Sequence, residues 1–86
     1  MKYLASTILI IIGHHLRNRG VYNKNTLAFF FRAYQLNTNA SVLLAYLRFR
    51  RDLGYALNRR LAAQLLACFH ALPSKKLRQA ANLLIE

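Results

Sequence analysis

At 86 residues the chain has room for one small domain, able to bury roughly 60–65% of its unfolded surface. Its 56% hydrophobic content excludes intrinsic disorder and is high enough to leave apolar surface for a partner as well as for a core. Thirteen Lys and Arg against Asp52 and Glu86 give a formal charge of +11, which points to an acidic partner, a nucleic acid or an anionic membrane surface, and the single Cys68 excludes an internal disulfide framework and fits a reducing compartment.

The first element spans about 3–18. Leu9, Ile12, Gly13 and Leu16 fall on one helical face and are expected to turn inward. Ile8, Ile10 and Ile11 spread apolar surface nearly all round, as in a helix covered on more than one side. Residues 3–12 have the outline of a signal peptide, but His14, His15 and Arg17 stand where a small-x-small cleavage site would follow. The run is also shorter than the about 20 apolar residues that span a bilayer. It reads as an N-terminal helix without membrane insertion.

A polar break over 18–25, containing Gly20, precedes a second helix at about 25–36, with Asn25 or Thr26 as its cap. Leu27, Phe30, Phe31 and Tyr34 recur at helical spacing, and Phe29, off that stripe, is a candidate for contact with another element. Leu36-Asn37-Thr38-Asn39 reads as a loop, because its polar side chains compete with helical hydrogen bonds. In a third helix, about 40–53, Val42, Tyr46, Phe49 and Leu53 form one stripe, widened by Leu43 and Leu47. Ser41, Leu44, Arg48 and Arg51 form a second stripe towards the polar side. A fourth helix, about 55–71, places Leu57, Leu61, Leu65 and Phe69 inside and Arg59, Arg60 and Gln64 outside, and Pro73 stops it. Ser74 then caps a last helix, about 75–85, whose Leu77, Ala80, Ala81 and Leu84 suit a terminal capping element. No stretch alternates as a strand does, so the expected fold is all-α, one domain over 1–86.

Catalytic chemistry finds no foothold. The two carboxylates lie 34 positions apart, a poor basis for paired acid–base work. His14 and His15 point in different directions on one helix, and no Cys/His or His/Asp spacing would hold zinc. Cys68, beside Phe69 in an apolar helix, reads as core, and no glycine-rich phosphate loop exists. The chain reads as a non-enzyme without metal or cofactor.

Gly20 and Gly54 are 34 residues apart, each closing an apolar helix and each followed by an aromatic (Tyr22, Tyr55). A helix ending at a glycine turn with that period is the signature of a tetratricopeptide-type hairpin. Glycine supplies the left-handed conformation that ends the helix, and the aromatic can pack into the angle between helices. The second copy carries Leu47 where the first has Gly13.

The run Leu16-Arg17-Asn18-Arg19-Gly20-Val21-Tyr22, followed by Leu43-Leu44-Ala45-Tyr46-Leu47-Arg48-Phe49 and Leu53-Gly54-Tyr55-Ala56-Leu57-Asn58-Arg59-Arg60-Leu61, resembles the tetratricopeptide-like chaperones of type III secretion needle subunits. The resemblance covers about residues 8–61. It implies tetratricopeptide-like hairpins with a C-terminal capping helix, in a cytoplasmic bacterial protein. Such a protein holds an aggregation-prone, hydrophobic helical needle subunit, together with a small helical co-chaperone, until export. The family's groove-facing positions fall on Ile10, His14, Arg17, Leu44, Arg48 and Arg51. Ile10 and Leu44 would be the apolar anchors, and the arginines would fix an acidic or C-terminal group. The alternative is a basic helical nucleic-acid-binding protein, in which the arginines at 48, 50, 51, 59 and 60 neutralise phosphates.

Overall fold

The computed structural model describes residues 2–85 and is all-α over that span. Its helices are α1 (Lys2–Asn18), α2 (Lys24–Leu36), α3 (Ala40–Asp52), α4 (Arg59–Ala67) and α5 (Ser74–Ile85), with a single 3₁₀ turn at Phe69–Ala71. Asparagine starts three of them. The Asn23, Asn39 and Asn58 side chains accept from the backbone N–H groups of Thr26, Val42 and Leu61, each satisfying a donor that the first helical turn leaves open. The cap of α2 is thus Asn23, two residues ahead of the expected Asn25.

The ends of α1 and α3 are built alike. The Gly20 N–H donates to Arg17 O at 2.9 Å and the Val21 N–H to Leu16 O at 2.9 Å; 34 residues later Gly54 donates to Arg51 O at 2.8 Å and Tyr55 to Arg50 O at 3.0 Å. This crossed pair of bonds requires a residue at positive φ, and the two glycines have φ of +80° and +90°.

The segment after the second turn departs from expectation. The helix foreseen at about 55–71 begins at Arg59 and ends at Ala67. Tyr55-Ala56-Leu57 runs non-helically into the Asn58 cap, which takes over from the weaker helix-starting signal of the glycine turn. At the other end Cys68 leaves helical geometry, the chain tightens into the 3₁₀ turn, and α5 starts directly after Pro73, whose carbonyl takes the Leu77 N–H.

The first three helices pack antiparallel in turn. Along α1 and α2, Ser6 donates to the Ala33 carbonyl at 2.8 Å while Gly13 meets the ring of Phe30. From α2 to α3, Phe30 stacks on Phe49 at 5.1 Å and Tyr34 on Tyr46 at 5.9 Å. Phe49 also stacks on Tyr22 at 5.6 Å, so the aromatic after the first glycine turn does pack into the next hairpin. The largest buried cluster gathers Leu43, Leu44 and Leu47 of α3, Leu65 of α4, Leu72, and Ala80 and Leu83 of α5. α3 is the central element, touching α2, α4 and α5.

On α1 the buried face carries Ser6 and Gly13, while Leu4, Ile8, Ile11 and Ile12 lie exposed on the opposite face. Ile12 thus points outward, contrary to the expected inward set: burial of Ser6 and Gly13 rotates the helix so that Ile12 falls on the far side.

Candidate functional site: a groove between α1, α3 and α5

The first helix of each hairpin and the capping helix together surround a concavity of about 310 Å³. Ile10 and His14 come from α1, Ser41, Val42, Leu44, Ala45 and Arg48 from α3, and Lys75, Lys76 and Gln79 from α5. The walls are apolar at Ile10, Val42 and Ala45; the rim is cationic at Arg48, Lys75 and Lys76. Arg48 reaches across the groove and donates to Gln79 Oε1 at 3.2 Å, tying α3 to α5.

Four of the six residues placed by resemblance lie together here: Ile10, His14, Leu44 and Arg48. Leu44 does so as the floor. It is 1% exposed and belongs to the core cluster, so its role as an accessible anchor is corrected; the accessible apolar wall is Ile10, Val42 and Ala45. Arg17 and Arg51 lie elsewhere. Arg17 holds Asp52 Oδ2 at 2.8 Å, with Arg51 3.7 Å from the other carboxylate oxygen, so one acidic side chain pins the end of α1 to the end of α3. Asp52 is the only side-chain carboxylate among the described residues.

His14 sits half-buried, edge-on to Phe30 at 5.3 Å. Burial, and then the positive charges of Arg17, Arg48 and Lys76, hold its pKa below the ordinary 6.5. The groove therefore contains a neutral imidazole at pH 7 in a positive field. Arg48 is likewise pulled below its usual range, chiefly by burial and then by Arg17 and Arg51, with Asp52 opposing. Crowded cations of this kind disfavour one another and favour an incoming carboxylate.

Sequence reasoning misses the contribution of α5, in which it finds only a terminal cap. The available signal is that the side of α5 opposite its apolar stripe opens with two adjacent lysines, Lys75 and Lys76, one turn ahead of Gln79. Among the described residues no cluster of His, Cys, Asp and Glu is placed to hold a metal, and no helix is long and apolar enough to cross a membrane.

No protein-family model, curated protein or solved structure matches this chain. The functional reading therefore rests on the residues and their arrangement.

Proposed function

We propose that this chain is a tetratricopeptide-like chaperone of the bacterial cytoplasm that sequesters a hydrophobic helical needle subunit of a type III secretion system in the α1–α3–α5 groove. The observation that carries the reading is the groove itself: an apolar wall of Ile10, Val42 and Ala45 beside a rim of Arg48, Lys75 and Lys76. An amphipathic helix laid in such a groove buries its apolar side against the wall, and a carboxylate at its end or flank meets the cations. A subunit built for polymer contacts exposes that kind of apolar helical surface, and covering it blocks premature assembly.

The second partner has its own place in the proposal. Leu4, Ile8 and Ile11 make an apolar strip on the outer face of α1, at 52, 49 and 61% exposure, and no element of this chain covers it. A small helical co-chaperone seated there would bury the strip. The paired glycine turns 34 residues apart support the repeat architecture on which both surfaces depend.

The experiment is co-expression with the small helical proteins encoded beside it, followed by size-exclusion chromatography. A stable complex with a protein of needle-subunit size, lost on Ile10→Asp and retained on Arg60→Glu, is the expected result. Recovery of the chain without such a partner, or loss of the complex with Arg60→Glu alone, would exclude the groove reading.

A further inference from the structure

A second surface lies outside the groove, between α2, α3 and the turn at Gly54. Phe31 packs against Tyr46 at 5.4 Å. The guanidinium of Arg50 lies 5.9 Å from the centre of the Tyr46 ring and 5.7 Å from that of Tyr55. The outcome is a row running Phe31, Tyr46, Arg50, Tyr55. It borders a hollow of about 390 Å³ with Lys24 on its edge and Leu27 and Ala28 on its floor. Ala28 also lines a neighbouring hollow with Phe29 and Arg32, so the strip continues along α2. None of these residues lines the groove.

Two features of the row are unexplained by packing alone. Phe31 and Tyr55 are 43% and 42% exposed, a large aromatic surface for water to meet. Lys24, Arg32 and Arg50 stand around them, while the one described carboxylate, Asp52, is engaged by Arg17 and Arg51. Exposed ring faces interleaved with cations are what unpaired nucleotides recognise: bases stack on the rings and phosphates follow the charges.

We propose that this row is a binding site for single-stranded nucleic acid, with bases stacking on Phe31 and Tyr55 and phosphates held by Lys24, Arg32 and Arg50. The site is independent of the groove and uses part of the +11 charge that the groove leaves unassigned. A duplex fits it poorly, because its base faces are already stacked on one another and only phosphates remain to be contacted. The site carries no donor and acceptor pattern aimed at base edges, so little sequence preference is expected.

The test is fluorescence anisotropy of the full chain with labelled oligouridylate, oligothymidylate, an abasic strand of equal length and a duplex, each over a range of salt. The normal strands should bind roughly tenfold more tightly than the abasic strand, and Phe31→Ala and Tyr55→Ala should each weaken them by about tenfold with an unchanged salt slope. Lys24→Ala should lower that slope by about one. Equal binding of the two normal strands means that stacking alone is read, and a preference for one assigns the site to RNA or to DNA. An abasic strand or duplex bound as tightly as a normal strand would overturn the proposal, because plain cationic attraction would then suffice. Photo-crosslinking of a bromouridine strand to the unmodified protein provides a check independent of the variants. Crosslinks at Phe31 or Tyr55 are expected, and crosslinks confined to the α5 lysines would overturn the site.

Discussion

Seven residues after its capping asparagine, α2 carries Phe30 and α4 carries Leu65, and both are fully buried. The residue facing the first is Gly13; its counterpart one repeat later is Leu47, which shares the buried cluster with Leu65. A glycine opposite a phenyl ring and a leucine opposite a leucine fill comparable space, so one backbone plan is packed in two ways. The hairpins differ more on their outer sides. α1 turns Leu4, Ile8 and Ile11 to solvent, whereas α3 is covered by α2, α4 and α5 and keeps its leucines inside. The lesson is that helical apolar content marks core only where another element of the same chain is available to cover it. The first hairpin lacks that cover, and in the proposed function a partner supplies it.

The sharpest break in this comparison sets an inside leucine against an outside isoleucine. Leu44→Asp should cost at least about 3 kcal/mol and abolish the helical circular-dichroism signal, because it places an unpaired charge at a site 1% exposed. Ile11→Asp, on the open face of α1, should shift the urea midpoint by about 0.5 kcal/mol or less and reduce self-association. Similar losses from the two would show that α1's outer face is covered in the free chain.

Next in size is the Gly13 position. A Cβ there would stand 2.9 Å from the Phe30 ring, which is wedged against Phe49 and cannot swing away. Gly13→Ala should therefore destabilise by about 1–3 kcal/mol despite the better helix propensity of alanine. Combining it with Phe30→Leu should recover part of that loss in the same denaturation assay, since the smaller side chain frees the space. The matching change one repeat later, Leu47→Ala, should cost about 2–5 kcal/mol through the cavity it leaves.

Where the hairpins agree, variants should agree. No atom lies within 4 Å of a Cβ built on Gly20 or Gly54, so alanine at either site meets only the strain of positive φ. Gly20→Ala and Gly54→Ala should each lower stability by about 1–2 kcal/mol, with equal effects within a few tenths. A clear inequality in thermal melts would separate the two turns energetically.

The smallest effect is that of pH. The folded chain holds His14 below its ordinary pKa, so the unfolded chain takes that proton at the higher pH. Stability is then intact above about 6.5 and declines as pH falls below it, and His14→Gln should remove this component from denaturation midpoints. An acidic helix in the groove should raise the His14 titration seen by NMR. An unchanged titration in the complex would place the partner's charge elsewhere.

The all-α class was legible because Leu27-Phe30-Phe31-Tyr34 and Val42-Tyr46-Phe49 repeat at helical spacing, and both glycine turns were legible because few residues other than glycine adopt positive φ. The start of α4 was not, because Tyr55-Ala56-Leu57 has helical content and only the Asn58 cap decides the register. Ser6 looks like an ordinary polar residue in an apolar run; its burial depends on the Ala33 carbonyl, 27 residues away, accepting its hydroxyl. Of the groove, the α1 and α3 positions followed from counting back along each repeat. The α5 lysines did not, because the tilt of a capping helix depends on packing at Leu72, Ala80 and Leu83 that no local pattern encodes.

The groove reading is tested most directly by comparing charge reversals in the purified complex with the needle-type subunit. Affinity is measured by titration calorimetry for Arg48→Glu, Lys76→Glu, Arg59→Glu and Arg60→Glu. Arg48 and Lys76 line the groove, and Arg59 and Arg60 lie exposed at the start of α4. Losses of about tenfold or more at positions 48 and 76, with changes under about twofold at 59 and 60, are the predicted result. Equal losses at all four positions would contradict a groove and leave only a diffuse attraction to a basic protein.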